Sequence, residues 1–263
     1  MVGTVKDNER EPHFVQSLER GLSVIRAFTA DAPEMTLAEV ARITGMSRAT
    51  ARRFLLTLND LGYMATDGRL FRLTPRVLEL GYSYLSSLSL AEIAAPHLER
   101  LVAEVHESSS VAVLDGEDAV YVSRVPTRRI MTVSISVGTR FPAYAASLGR
   151  ILLAGLPDAP LRRYLDTVSL APLTPRTITR KEVLAAELEE VRARGWCLVD
   201  QELEEGLIAI AAPIRDESQQ VVAGVNLSTH ISRGTPDSIC SHLLPPLLAT
   251  AANIEAELKV SGG

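Results

Sequence analysis

Residues 36–61, TLAEVARITGMSRATARRFLLTLNDL, read as two short helices joined at a sharp turn. Leu37, Val40, Ala41 and Ile43 give the first helix an apolar stripe at three- and four-residue spacing. Thr36 and Glu39 have the spacing of a capping box, and Gly45 stands where the turn needs a residue free of Cβ strain. Ser47 is a good N-cap for the second helix, whose Ala51, Phe54, Leu55, Leu58 and Leu61 fall on one face. Arg48, Arg52 and Arg53, with Thr50, project from the other faces of its first two turns. From those positions the recognition helix of a helix-turn-helix presents side chains to base edges and phosphates. An ordinary helical hairpin with a wet, charged face is the competing reading. The neighbourhood weighs against it: residues 42–72 hold six arginines, no lysine and two acids, a local balance of +4. The planar guanidinium can grip guanine or phosphate with two bonds, which lysine cannot.

On the N-terminal side, residues 1–13 are polar and aperiodic and are expected to form a disordered arm. Ser17 is then expected to cap a helix over SLERGLSVIRAFTA, packing Leu18, Leu22, Ile25 and Phe28 on the two helices. On the C-terminal side, Gly62 ends the recognition helix, and YMATDGRLFRLT places Asp67-Gly68 between two β-prone runs. That hairpin is a wing, with Arg69 at its tip. Ser17 and Arg69 are candidate phosphate contacts, and Ser47, Arg48, Thr50, Arg52 and Arg53 complete the candidate DNA-binding set. Residues 14–74 thus read as one DNA-binding domain, and residues 75–90, with Pro75 at a first-turn position, as an apolar linker helix suited to pair with its twin in a dimer.

Length and composition agree with a two-domain globular chain. The 263 residues are 46% hydrophobic and 22% charged. No apolar run approaches bilayer length and the N-terminus lacks a signal-peptide core, so a cytoplasmic protein with no membrane partner is expected. Cys197 and Cys240 are far apart and form no CxxC pair, which suggests neither a disulfide framework nor a thiolate zinc site. The net charge of −5 is unevenly spread: residues 1–75 carry +1 and residues 76–263 carry −6. Basicity is local to the reading helices, and an acidic second domain limits unproductive binding to bulk DNA.

Residues 91–263 alternate helices and strands. A helix over 91–107 is followed by a hairpin, SSVAVLD and AVYVSRV, around Gly116-Glu117-Asp118. Then come a strand IMTVSISV, two helices over 148–165, a helix over 181–194 capped by Gly195, and strands WCLVD, LIAIAAPI and VVAGVNLS. A final helix over 235–258 is expected to break at Pro245-Pro246. This interleaving implies a mixed sheet covered by helices, an α+β chain as a whole.

No catalytic constellation, metal site or cofactor motif emerges: there is no Gly-rich phosphate loop, no G-x-S-x-G elbow and no paired histidines. Ser147 has no identifiable base. An enzyme whose N-terminal helices only dimerise is the rival reading, and it lacks any acid–base or nucleophile pair. A small-molecule sensor fits better. Strands of small and apolar residues with Asn226 and Ser228 interspersed can line a mostly apolar pocket with a few oriented donors. Arg128 and Arg129 are candidates to hold a ligand carboxylate by a bidentate contact.

SLERGLSVIRAF, TLAEVARITGMSRATARRFLLTL, AYAASLGRILLA and RGWCLVDQELEEGLIAIAAPIRD together resemble, in order and over nearly the whole chain, the IclR family of bacterial transcription regulators. VPTRRIMTVSISVGTRFPAYAASLGR looks most like its subgroup regulating aromatic-acid catabolism through protocatechuate and the β-ketoadipate route. The resemblance implies a winged helix-turn-helix, a linker helix and a GAF-like α/β effector-binding domain. It also implies a dimer, or dimer of dimers, on palindromic double-stranded promoter DNA, responding to a small organic acid and using no cofactor. Carried over by motif, the effector-binding positions are Ala145, Ala146, Val199, Asp200, Ala209, Asn226 and Ser228. Members that bind small oxo-acids tend to have serine where Asn226 stands and cysteine where Ala209 stands, so the polar contacts and pocket volume differ and their ligand does not carry over to this chain. Zinc, reported for some members, finds no matching cysteines here.

Overall fold

In the computed structural model the described residues are 14–29, 31–80, 89–127 and 135–261. The chain divides into two units, residues 1–84 and 85–263, and each is built around its own core. The expected arm over 1–13 lies outside the described residues.

In the first unit, α1 (Gln16–Arg26) precedes a short strand β1 (Glu34–Thr36), then α2 (Leu37–Thr44) and α3 (Arg48–Asp60). The Thr36–Glu39 capping box forms in full: Glu39 Oε2 accepts from the Thr36 backbone N–H at 2.8 Å, and Thr36 Oγ1 accepts from Glu39 N–H. The Thr36 backbone N–H first, and then the Thr36 hydroxyl donating to Oε2 at 2.7 Å, hold the Glu39 carboxyl below the usual carboxylate range. Gly45 ends α2 in the left-handed region, φ 67°, and Ser47 caps α3 by accepting from Thr50 N–H at 3.1 Å. Ala51, Leu55 and Leu58 bury one face of α3 against Val24, Phe28 and Val40.

Two expectations fail in α1. Its N-cap is Val15, with no side-chain capping bond, and Ser17 is exposed inside the helix. Of the expected stripe, Leu18 and Leu22 are 62% and 47% exposed, while Phe28 is buried and Ile25 packs half-buried on the same core, with Val24 and Ala27 buried beside them. The helix thus packs on α2 and α3 through the C-terminal part of the expected stripe alone, and Met35 of β1, a strand too short for an alternating run to announce it, completes that core. β1 pairs antiparallel with β3 (Leu70–Leu73), which pairs with β2 (Met64–Thr66), giving the wing three strands. Beyond it Pro75–Val77 is a 3-10 turn continuing as helix to Leu80, with Leu78 and Leu80 exposed. The remainder of the expected linker helix, residues 81–88, lies outside the described residues. Arg76 donates to the Leu61 carbonyl at 2.9 Å and lies over the Tyr63 ring, closing the C-terminal end of α3.

The second unit is one sheet between two helical layers. Its elements are α4 (Ser89–Val105), β4 (Ser108–Asp115), β5 (Asp118–Val125), β6 (Arg140–Pro142), α5 (Ser147–Ala154), α6 (Asp158–Thr167), α7 (Lys181–Arg194), β7 (Cys197–Asp200), β8 (Leu207–Arg215), β9 (Val221–His230) and α8 (Pro236–Ser261). The strand order is β6-β5-β4-β9-β8-β7 and every pairing is antiparallel. The expected mixed sheet is therefore corrected: hairpins β4–β5 and β8–β9 supply the centre, and the helices flank it instead of crossing between parallel neighbours. Of the expected strand over 130–137, residues 130–134 are outside the described residues and 135–137 are not strand; Arg140–Pro142 pairs with β5 instead. α8 runs unbroken through Pro245 and Pro246, contrary to expectation. Burial of Leu243, Leu247, Ala251 and Ile254 against the sheet outweighs the lost backbone bonds. No helix among the described residues is long and apolar enough to cross a membrane.

α4 and α8 cover one face of the sheet, with Val111, Ile208, Ile210, Val225 and Leu227 beneath them. α5, α6 and α7 cover the other, over Ala112, Tyr121, Val199 and Ala211. On this second face α5 approaches so closely that a Cβ on Gly149 would lie 2.2 Å from the Ala143 carbonyl oxygen. Arg150, 1% exposed, donates through Nε to the Tyr144 carbonyl at 2.9 Å and through Nη2 to Glu202 Oε2 at 2.5 Å. Glu202 also accepts from Ile178 N–H at 3.1 Å, and its carbonyl accepts from Thr177 Oγ1 at 2.6 Å.

Gly149→Ala should cost about 3 kcal/mol, the upper end for overpacking because the obstruction is backbone, read as a lowered midpoint in urea. Arg150→Met leaves the Glu202 carboxylate buried without its cation and should cost about 3–5 kcal/mol. Replacing both partners together should cost less than that single change, in the same denaturation assay.

Candidate functional site

The exposed face of α3 carries Arg48, Arg52 and Arg53. None of the three pairs with an acid among the described residues. The N-cap network explains their placement. Ser47 Oγ is engaged by Thr50 N–H and lies 2.9 Å from Thr50 Oγ1, so the first turn of α3 is fixed and the arginines leave it in defined directions. Ser47 and Thr50 thus shape the reading end of the helix, and their hydroxyls are already hydrogen-bonded to each other. At the wing tip Asp67 Oδ1 accepts from Leu70 N–H at 2.8 Å and Arg69 N–H at 2.9 Å, while Gly68 takes φ 96°. The Leu70 bond first, then that of Arg69, holds the Asp67 carboxyl below its ordinary value. Arg69 is exposed beside it. This face is a cationic reading helix flanked by a rigid hairpin, the arrangement that docks a helix in a major groove.

In the second unit, Ala145, Ala146, Val199, Ala209, Asn226 and Ser228 line one cavity, which brings together six of the effector positions carried over by motif. Tyr121, Ser147, Leu203 and Ile135 also line it, and motif reasoning had not selected them. Register accounts for the convergence. Val199 pairs with Ala209 and Ala209 with Ser228, so all three share a row and a face of the sheet. The turn before α5 supplies the opposite wall, and alanines at 145, 146 and 209 keep both walls thin.

Asp200 does not line the cavity. It alternates to the other side of β7, where its carboxylate is held by Arg176 and by Gln201 Nε2 at 3.1 Å. Arg128 and Arg129 lie outside the described residues. Ser147 is 2% exposed at the start of α5, and its Oγ has no hydrogen-bond partner. Asn226 Oδ1 accepts from Ser110 N–H at 3.1 Å, and its Nδ2 donates to Ser228 Oγ at 3.2 Å. Burial pushes the Tyr121 phenol up to about 12, so at neutral pH it is a protonated donor. The cavity therefore offers hydroxyls, an amide and the N-terminal end of a helix, a set suited to orient a small polar or anionic guest. The enclosed space is about 10 Å³, roughly one water sphere, and a ring-sized guest enters only as the lining side chains withdraw. No group of three or more His, Cys, Asp or Glu among the described residues could hold a metal ion.

Comparison with known proteins agrees with both halves. Residues 17–68 match the IclR helix-turn-helix domain and residues 82–256 match the bacterial transcriptional regulator IclR C-terminal domain. The chain is 46% identical over 245 residues to the Pca regulon regulatory protein of Pseudomonas putida, covering 93% of this chain and 84% of that one. A putative transcriptional regulator from Rhodococcus sp. RHA1 superposes with a TM-score of 0.83 at 58% identity, over 93% of this chain and 98% of that one. An IclR homolog from Microbacterium hydrocarbonoxydans, complexed with 4-hydroxybenzoate, superposes with a TM-score of 0.81 at 25% identity, over 92% and 98%. With a helix-turn-helix and wing in one unit and a helix-covered sheet enclosing a small cavity in the other, this chain belongs to the IclR family of bacterial transcriptional regulators.

Proposed function

We propose that this regulator controls genes of aromatic-acid catabolism, with an aromatic acid or its ring-opened dicarboxylate product as effector, and that it acts by binding and not by turnover. The observation that carries the reading is the cavity between the start of α5 and the row Val199–Ala209–Ser228. Two relatives add weight: one is a Pca regulon regulator and one holds 4-hydroxybenzoate. In this reading the closed cavity is one state, and a guest that fits only the opened one shifts the population by its difference in affinity. Such coupling is typically about 1–3 kcal/mol, enough to switch a promoter.

Arg48, Arg52 and Arg53 serve base edges and phosphates of the major groove, and Arg69 the adjacent backbone. Ser17, exposed in the first turns of α1, serves as a phosphate contact and not as a cap. The protein acts as a homodimer, or a dimer of dimers, on a palindromic operator in the cytoplasm. Val15, Leu18, Leu22 and Ile43, exposed together on one surface of the first unit, support the dimer: paired with a second copy, they would bury the apolar face that α1 leaves open.

Titration of the purified protein on its own upstream intergenic region should show tight, salt-dependent binding that protocatechuate, 4-hydroxybenzoate or β-ketoadipate alters. Binding indifferent to all three acids would remove the aromatic-pathway assignment. Arg52→Ala should weaken operator affinity by about 1–3 kcal/mol if it holds a base edge with two bonds; an unchanged affinity takes it out of the reading set.

A further inference from the structure

The β4–β5 hairpin contains an irregularity that re-aims a cation. Ala112 pairs with Tyr121, yet Val111 pairs with Ser123, so Val122 is an extra residue, a bulge. In a regular strand Tyr121 and Arg124, three apart, would point to opposite faces. The bulge reverses the parity. Val122 and Val125 both pack on the α4–α8 face, and Arg124 is turned to the face of Tyr121. Register places it there independently: Ser110 pairs with Arg124 on one side and with Asn226 on the other, and Asn226 lines the cavity. Arg124, Ser110 and Asn226 are consecutive in one row across the sheet.

The bonds follow the row. Arg124 Nη1 donates to Ser110 Oγ at 3.2 Å, and Ser110 N–H donates to Asn226 Oδ1 at 3.1 Å. Among the described residues the Arg124 guanidinium has no ion pair, and residues 128–134, which follow β5, contain no acid in sequence. Among the described residues, Arg150 and Asp200, which stand beside the cavity's lining segments, are already answered by Glu202 and Arg176. Arg124 is half-buried, and burial draws its pKa below the ordinary arginine value. Of its five N–H donors, the described bond uses one.

We infer that Arg124 is the specificity-determining cation of the cavity, receiving the carboxylate of the effector across the row Arg124–Ser110–Asn226. This rests on the reading that the cavity takes an organic acid and adds which residue recognises the acid group. A neutral isostere of the effector leaves the guanidinium without a counter-charge, so the cavity discriminates by charge as well as by shape.

The test uses the full chain, with binding of 4-hydroxybenzoate, protocatechuate, β-ketoadipate and the neutral isostere 4-hydroxybenzamide followed by calorimetry and thermal shift. Wild type should bind at least one acid and favour 4-hydroxybenzoate over its amide if the aromatic acid is the effector, or favour β-ketoadipate over both. Arg124→Met should weaken the preferred acid tenfold or more and abolish the preference for it over the amide, while operator affinity without effector stays as in wild type. Arg124→Lys, which keeps the charge and loses the fork, should recover part of the acid affinity. An Arg124→Met protein that binds the acid within twofold of wild type overturns the inference and leaves the effector reading standing. Equal losses for acid and amide, or no recovery by Arg124→Lys, overturn it by showing a structural role alone. A wild-type protein that binds none of the acids overturns both.

Discussion

Arg150 and Glu202 form the contact on which the second unit is assembled. The guanidinium leaves α5, crosses to the Tyr144 carbonyl and ends on the carboxylate, which in turn receives Ile178 N–H. One buried pair thus fixes three chain segments with no regular pairing to each other: the turn before α5, the loop over 174–178 and the loop after β7. Thr174 and Thr177 extend the network by donating to the carbonyls of Gln201 and Glu202. A buried ion pair is a poor source of net stability, because desolvating two charges offsets most of their attraction. Its return here is in position. Ala145, Ala146 and Ser147 are held against Val199 and Leu203, and those are the opposing walls of the cavity.

The glycines beside that contact serve the same geometry. Gly149 lets α5 close on Ala143, and a Cβ on Gly224 would come within 3.2 Å of Leu148 on the same helix. Because α5 lies so low on the sheet, the cavity is small and lined by the N-terminal end of the helix. Among the described residues the buried Ser147 hydroxyl, which lines the cavity, has no hydrogen-bond partner, a cost of about 1–3 kcal/mol that a guest able to accept from it would relieve. An orphaned hydroxyl, a helix end and a half-buried cation on one side of one sheet are hard to account for by folding alone. They are what a binding site asks of its walls.

The first unit solves a different problem. It presents charge to water on short, capped helices. The capping bonds of Thr36 and Ser47 fix the start of each helix of the pair, Gly45 sets the angle between them, and Arg76 closes the far end of α3. Among the described residues the arginines of α3 pair with no acid, and three nearby carboxylates are engaged locally: Glu39 on its own cap, Asp67 on the wing turn and Glu34 beside Arg72. That local use helps keep this face cationic in a chain whose net charge is −5.

Local chemistry was legible in the sequence wherever a residue acts on its near neighbours. The capping box at Thr36 and Glu39, the caps at Ser47 and Gly195, the Asp67-Gly68 turn and five of the six expected strands of the second unit all depend on spacing of a few positions, and they formed as read. The six cavity residues carried over by motif also converge, because the same segments fold the same way in the family. Other features were decided only in three dimensions. Leu18 and Leu22 belong to an apolar stripe, but whether a stripe is buried depends on what arrives opposite it, and among the described residues of the first unit nothing covers those two. Pro245 and Pro246 should have broken a helix that packing on the sheet keeps whole. Asp200 and Arg150 found their partners 24 and 52 residues away, and no local pattern encodes such pairings. Arg124 is the clearest case. A regular strand would put Arg124 on the α4–α8 face with Val122, and one bulged residue, settled by pairing with a neighbouring strand, turns it to the face of the sheet that carries Tyr121.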